Sequence, residues 1–293
     1  GVAASDLRLE GGQVIGAAGS APLGRFVSRA AGIPVPADPR LKDPAEFVLI
    51  GKEGVKRKDT PAKIDGSAVF AMDLHLPGQM VAVIARAPQM GAVVASVDDS
   101  AARGMRGYLR AAALPNGAGV AVYGDTTWAA IRARDALAIA WDLSAAETRS
   151  SADLREALLA AVTAPASWDA AGKPGDAAGI EGAAQAIEKT FVFPLLAHAP
   201  MEPLTCTIAP DPDGGVTLHD GAQMPTVPHM ALSGILDLPM EKVRVRTVYA
   251  GGSFGRRATT VADYQVEAAL AFAMTDRKRP VKLVWTREDD ITG

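Results

Sequence analysis

Three observations predict a mixed α/β protein. Between Val243 and Met274 the pattern changes from period two to helical across a glycine loop. Between Val55 and Asp142, short strand-like and helix-like stretches are interleaved over a compact length. A hydrophobic content of 48% against 22% charged residues is enough to bury a globular core.

In chain order, residues 1–54 read as an extended N-terminal segment. Gly11, Gly12, Gly16 and Gly19 break it into short pieces, and a short helix is expected over Leu23 to Ala31. Pro34, Pro36, Pro39 and Pro44 then forbid continuous helix or central strand, so Ile33 to Pro44 is a connector. In residues 55–145, Ala68 to Leu74 alternates like a strand, and Val81 to Ala87 is a short apolar strand stopped by Pro88. Ser96 to Met105 reads as a strand end running into a brief helix. Val120 to Tyr123 is a strand, Thr126 caps a helix reaching Leu137, and Ile139 to Trp141 is a last strand. Residues 146–179 hold a helix over Ala152 to Val162, with Leu154, Leu158, Leu159 and Val162 on one face, and an Ala/Gly/Pro/Asp linker over Pro165 to Gly179. Residues 180–293 form the last domain, with a strand over Gly215 to His219.

Val243, Val245, Thr247 and Tyr249 alternate with Arg244 and Arg246, a half-buried strand. Gly251, Gly252, Ser253, Phe254 and Gly255 interrupt it. From Thr260 the chain is helical, with Thr260 and Asp263 as a capping box and Arg277 to Pro280 as the stop. Glycines here let backbone N–H groups approach an anion, and a helix N-terminus would add positive character. Three readings compete: a plain tight turn, a dinucleotide fingerprint, and the cofactor loop taken up below. The fingerprint fits poorly, because Arg256 and Arg257 stand where the third glycine belongs and the loop comes late in the chain.

A net charge of −3 argues against a nucleic-acid binder that relies on a basic surface. No apolar run is long enough for a transmembrane segment, and no export signal is visible. Cys206 is the sole cysteine, so this sequence makes no internal disulfide and no four-cysteine iron–sulfur cluster. His75, His198, His219 and His229 lack metal-ligand spacing, and each is expected to be a neutral hydrogen-bonded or exposed residue. Glu288, Asp289 and Asp290 read as a solvated turn. In His198-Ala199-Pro200-Met201-Glu202-Pro203 the two prolines fix an irregular backbone, where Glu202 is expected to accept nearby N–H groups rather than act as a base.

GGSFGRR at 251–257, PVKLVWTREDD at 280–290 and AHAPMEPLTCT at 197–207, with Gln223 between, resemble the molybdenum-binding subunit of the xanthine dehydrogenase/aldehyde oxidase family. The likeness is to the isoquinoline 1-oxidoreductase beta-subunit type, it extends over Leu41 to Asp142, and it covers nearly the whole chain as part of such a subunit. It implies an α/β hammerhead domain over 55–145 and the first part of a molybdopterin-binding domain over 180–293. Lys58-Asp59, Lys63 to Gly66 and Asp135 to Leu137 are family-like and read as structural.

The resemblance also implies a site. Gln223, Gly252, Ser253, Phe254, Gly255 and Arg256 would face a molybdenum–molybdopterin cofactor, of the cytosine dinucleotide type, with no protein side chain on the metal. Ser253 replaces the family's usual third glycine, and His219-Asp220-Gly221-Ala222 stands where the family often has a Trp. No catalytic residue is expected in this chain, because the family's general-base glutamate lies in a C-terminal half beyond it. Arg257-Ala258 in place of Lys-Glu argues for an aldehyde or an uncharged N-heterocycle. The implied partners are the remaining half of the subunit, a [2Fe–2S] small subunit, a c-type cytochrome as onward acceptor, and a small-molecule substrate. The chain alone is expected to be inactive, and both periplasm and cytoplasm stay open. A nicotinamide-dependent dehydrogenase and a non-catalytic scaffold of the same fold are the alternatives.

Overall fold

Apolar runs that are buried on both faces organise the structure. It is a computed structural model that describes residues 2–39, 41–164, 175 and 177–292. The expected linker at 165–179 lies largely outside the described residues. Two compact units divide the chain, residues 1–61 and residues 62–293.

The first unit carries a three-stranded antiparallel sheet, β1 (Arg8–Glu10), β2 (Gln13–Gly16) and β3 (Gly19–Pro22), with a short helix α1 (Val27–Ala30). It is therefore more structured than an extended segment, because the glycines expected to break it sit at the turns between the strands. Residues 33–39 and 41–43 form no element, as their prolines require.

A five-residue helix, α2 (Thr60–Ile64), carries the chain into the second unit. There β4 (Met80–Arg86), β5 (Val93–Asp98), β6 (Tyr108–Ala113), β7 (Gly119–Gly124) and β8 (Ala138–Asp142) come first, with α3 (Thr127–Asp135) and α4 (Ser151–Val162). Further along the chain follow β9 (Thr205–Pro210), β10 (Val216–Asp220), α5 (Thr226–Leu236), β11 (Val243–Thr247), α6 (Asp263–Ala273), β12 (Val281–Val284) and α7 (Arg287–Thr292). One open seven-stranded sheet runs β11-β10-β9-β12-β4-β7-β6, and β5 pairs with β8 separately. The β11–β10 and β12–β4 pairs are parallel and the other neighbours antiparallel.

The strand pattern explains this burial. Along β4, Met80, Ala82 and Ile84 join a core with α5 and α6, while Val81, Val83 and Ala85 join a second core with α3. A strand covered on both faces needs no polar alternation, which is why Val81 to Ala87 reads as a continuous apolar run. Thr126 Oγ1 accepts from Ala129 N at 3.1 Å and caps α3 as expected. The Tyr123 hydroxyl donates to Ala271 O at 2.7 Å, tying β7 to α6; burial pushes its phenol up to about 12.

Several local expectations change. Ala68 to Leu74 is a turn with a single bridge, Phe70 to Tyr249, and not a strand. Ser96 to Met105 leaves β5 through hydrogen-bonded turns without a helix. The Thr260–Asp263 capping box does not form: Ala262, at φ 48°, caps α6, and Asp263 is held instead by Arg256. The expected apolar face of α4 is only partly covered: Leu154 and Leu159 are half-buried, and Leu158 and Val162 are exposed. No helix among the described residues is long and apolar enough to cross a membrane.

A cut at a protease site introduced within residues 165–179 should leave two pieces that stay together. The β4–β12 ladder joins the two sides, so the pieces should co-elute in native size exclusion and separate only in denaturant.

Candidate cofactor loop

Parallel strands deliver their following loops to the same end of a sheet. β10 and β11 are parallel neighbours, with Asp220 opposite Thr247. The residues after Asp220 lead to Gln223, and those after Thr247 lead to the glycine loop. Side chains far apart in sequence therefore meet: Ser253 Oγ donates to Gln223 Oε1, and Gln223 N donates to Arg257 O at 3.4 Å.

The loop needs its glycines. A Cβ on Gly251 would lie 2.5 Å from Glu202 Cβ, and one on Gly252, where φ is +121°, would lie 2.8 Å from Pro200 Cβ. Phe254 holds φ 49° without being glycine, and its side chain is 85% exposed. Ser253 is accommodated at the third position because its hydroxyl both donates to Gln223 and accepts from Arg257 N at 3.2 Å.

Glu202 pins the loop from beneath. Its Oε1 accepts from Met72 N at 2.8 Å; its Oε2 accepts from Gly251 N at 2.8 Å and from Arg257 Nη2 at 2.9 Å. The Arg257 side chain is fully buried, and it also donates through Nε to Gly252 O at 3.0 Å. Glu202 thus accepts backbone N–H groups, as its setting between two prolines suggests, and an arginine as well. Deeper still, Asp220 accepts from the Tyr264 hydroxyl at 2.7 Å and from Gln265 Nε2 at 2.9 Å. Burial pushes the Asp220 carboxyl up, pushes the Tyr264 phenol far above its ordinary range, and keeps the Cys206 thiol protonated.

The carboxylates of α7 are not a solvated turn. Asp289 and Asp290 are buried, because their partners come from elsewhere in the chain. Asp289 pairs with Arg86 at 3.2 Å and Arg134 at 3.6 Å, and Asp290 pairs with Arg287 and His198, each at 2.8 Å.

Of the expected site residues, Gln223, Gly252, Ser253, Phe254 and Gly255 share one rim. Arg256 is committed elsewhere: it grips Asp263 at 3.0 and 2.6 Å and lies over Trp285. The expected help from a helix N-terminus is also absent. A 3-10 turn, Arg256–Ala258, follows the loop, and α6 starts only at Asp263. Sequence reasoning gave no site role to Arg257, His198 or Asp290. Their partners are distant in sequence, so no local pattern could reveal them.

A molybdopterin-type ligand fits this rim. Among the described residues nothing accepts from the N–H groups of Gly252, Ser253, Phe254 and Gly255, so consecutive backbone donors stay available. No cluster of three or more His, Cys, Asp or Glu that could hold a metal occurs among the described residues.

Comparison with known proteins agrees. Residues 162–293 match the molybdopterin cofactor-binding domain. Isoquinoline 1-oxidoreductase subunit beta of Brevundimonas diminuta is 32% identical over 277 residues, 90% of this chain and 34% of that protein. Residues 162–293 thus carry a molybdopterin cofactor-binding domain, and the chain is similar to part of a molybdenum-binding subunit of the xanthine dehydrogenase/aldehyde oxidase type. A second relative, from Gluconacetobacter polyoxogenes, is 31% identical over 86% of this chain and 33% of its own length; it is named membrane-bound aldehyde dehydrogenase [pyrroloquinoline-quinone]. The fold agrees as well. Quinoline 2-oxidoreductase of Pseudomonas putida 86 superposes with a TM-score of 0.61 at 17% identity, over 80% of this chain and 34% of that one. Aldehyde oxidoreductase of Desulfovibrio gigas gives 0.57 at 16% identity, over 80% and 30%. The chain thus spans only 34% and 33% of the two curated relatives' lengths.

Removing one member of a buried ion pair strands the other. Glu202→Ala should therefore cost about 3–5 kcal/mol in urea unfolding, and Glu202→Gln distinctly less, because an amide oxygen can still accept from Gly251.

Proposed function

We propose that this chain forms part of the molybdenum subunit of a hydroxylase that oxidises an aldehyde or an uncharged N-heterocycle with oxygen from water. The observation that carries the reading is the run of unpaired N–H groups from Gly252 to Gly255, set beside Gln223 at the carboxyl ends of β10 and β11. In this reading residues 55–145 are the hammerhead domain, residues 146–179 a helix and linker, and residues 180–293 the first part of the cofactor-binding domain.

The bound cofactor would supply the two-electron oxidation at carbon, and the protein would supply placement and polarity. Ser253 holds the Gln223 carbonyl oxygen, which leaves the amide N–H2 free to donate outward. The loop N–H groups are fixed donors that need no reorganisation as charge develops in front of them. Phe254 presents an apolar ring that excludes water from one side. Arg257, buried against Glu202, cannot reach a substrate, and Ala258 offers no carboxylate; both favour an uncharged substrate.

The finer assignments belong to the same reading: a cytosine dinucleotide form of the cofactor, electrons leaving to a [2Fe–2S] subunit and on to a c-type cytochrome, and inactivity of this chain alone. Phe191, Phe193, Leu195 and Leu196 are 75–94% exposed in one contiguous stretch. Such a run marks an interaction surface, which supports the remaining half of the subunit as a partner.

The protein at its natural length, made in a host that synthesises the cofactor, should carry molybdenum by elemental analysis and release a pterin nucleotide on denaturation. Gln223→Ala should lower turnover more than molybdenum content. Pyrroloquinoline quinone in place of molybdenum would overturn the proposal, as would saturable nicotinamide binding lost in Gly252→Trp.

A further inference from the structure

His198 is exposed over only 10% of its side chain and lies between two groups from distant parts of the chain. Its Nε2 is 2.7 Å from the Ser253 carbonyl oxygen, and its Nδ1 is 2.8 Å from Asp290 Oδ1. A carbonyl oxygen only accepts, so Nε2 carries a proton. The other oxygen of Asp290 accepts from Arg287 Nη1 at 2.8 Å, the arrangement of an ionised carboxylate, so Nδ1 donates too. Asp290 is itself fixed: its side chain is fully buried, and its N–H donates to Thr286 O at 3.1 Å within α7.

The backbone beside this contact is strained at both ends. Ala199, next to His198, has φ 40°, and Phe254, next to Ser253, has φ 49°. Non-glycine residues occupy this region only where their surroundings hold them. The His198 ring also meets the Phe254 ring edge-on, with centroids 6.3 Å apart.

We infer that His198 is a positioning residue for the glycine loop, a doubly protonated imidazole that transmits the fixed position of Asp290 to the Ser253 carbonyl. Together with the Arg256 N–H, which donates to the same oxygen at 2.9 Å, it fixes the peptide plane that carries the Phe254 N–H, and so the direction in which that donor points. Neither Glu202 nor Arg257 can do this, because they grip Gly251 and Gly252 on the strand side of the loop. His198 holds the far side. The latch rests on the cofactor reading only for what the loop faces; the contact itself is independent of any ligand.

The test uses the protein at its natural length. Neutron diffraction from deuterated crystals should find deuterons on both ring nitrogens of His198. In hydrogen exchange, His198→Phe keeps an aromatic ring but removes both donors. It should speed exchange at Gly251, Arg256, Arg257 and Ala258 by about tenfold or more, leaving the β12 amides unchanged. Asp290→Asn should keep loop protection close to wild type. An asparagine amide can donate to Nδ1 of a neutral ring, so the Nε2–H bond to Ser253 survives. Simple packing predicts the reverse order for the two variants. A single deuteron on the ring, or equal loop exchange in wild type and His198→Phe, would overturn the inference; if His198→Phe fails to fold, the neutron result decides. Molybdenum content of the same preparations reports on the cofactor reading separately.

Discussion

The Glu202 carboxylate holds the candidate loop to the rest of the molecule. It accepts from Met72, Gly251 and Arg257, three segments widely separated in sequence. A buried charge is costly unless its lone pairs are taken up, and this one is fully engaged. The consequence is geometric: the strand-side end of the loop has one place to sit, since both the backbone of Gly251 and the guanidinium that holds Gly252 are referred to the same two oxygens. Lys282 repeats the device nearby, donating from a buried ammonium to Met72 O and to Leu74 O at 3.2 Å. Burial pushes its amine down from the ordinary lysine range. The segment around Met72 is thus clamped by an acid and a base through backbone groups alone.

Placement of the loop follows from the sheet. A parallel β10–β11 pair sends both following loops to one end, and the residue after each strand is committed by hydrogen bonds before any ligand is considered. The fold and its family relationship explain why donors gather there.

Much of the fold was legible in the sequence because it is local. The β11 alternation, the apolar β4 and β7 runs and the Thr126 cap each announce themselves within a few residues. β6 went unread, because Tyr108-Leu109-Arg110-Ala111-Ala112-Ala113 lacks the β-branched residues that mark strands; it is a strand because β7 pairs with it. Asp289 and Asp290 looked solvated because charges usually are; besides the neighbouring Arg287, their partners are Arg86, Arg134 and His198, far away in sequence. At the candidate site the loop and Gln223 could be read from motif order. Their support could not: Asp263, spaced as a helix cap, was taken by Arg256, and nothing local pairs His198 with Ser253.

The position of β12 within the sheet has a consequence for how the chain folds. Its neighbours are β9 and β4, so it is the central strand of seven and yet the last of the seven in chain order. Before it arrives there are two three-stranded ribbons, β11-β10-β9 and β4-β7-β6, each with a bare edge and an apolar face. Joining them closes a loop between Met80 and Val281, a contact of very high sequence separation, and such closures are slow. Until Val281 is made, those two edges stay unbridged and open to pairing with other chains.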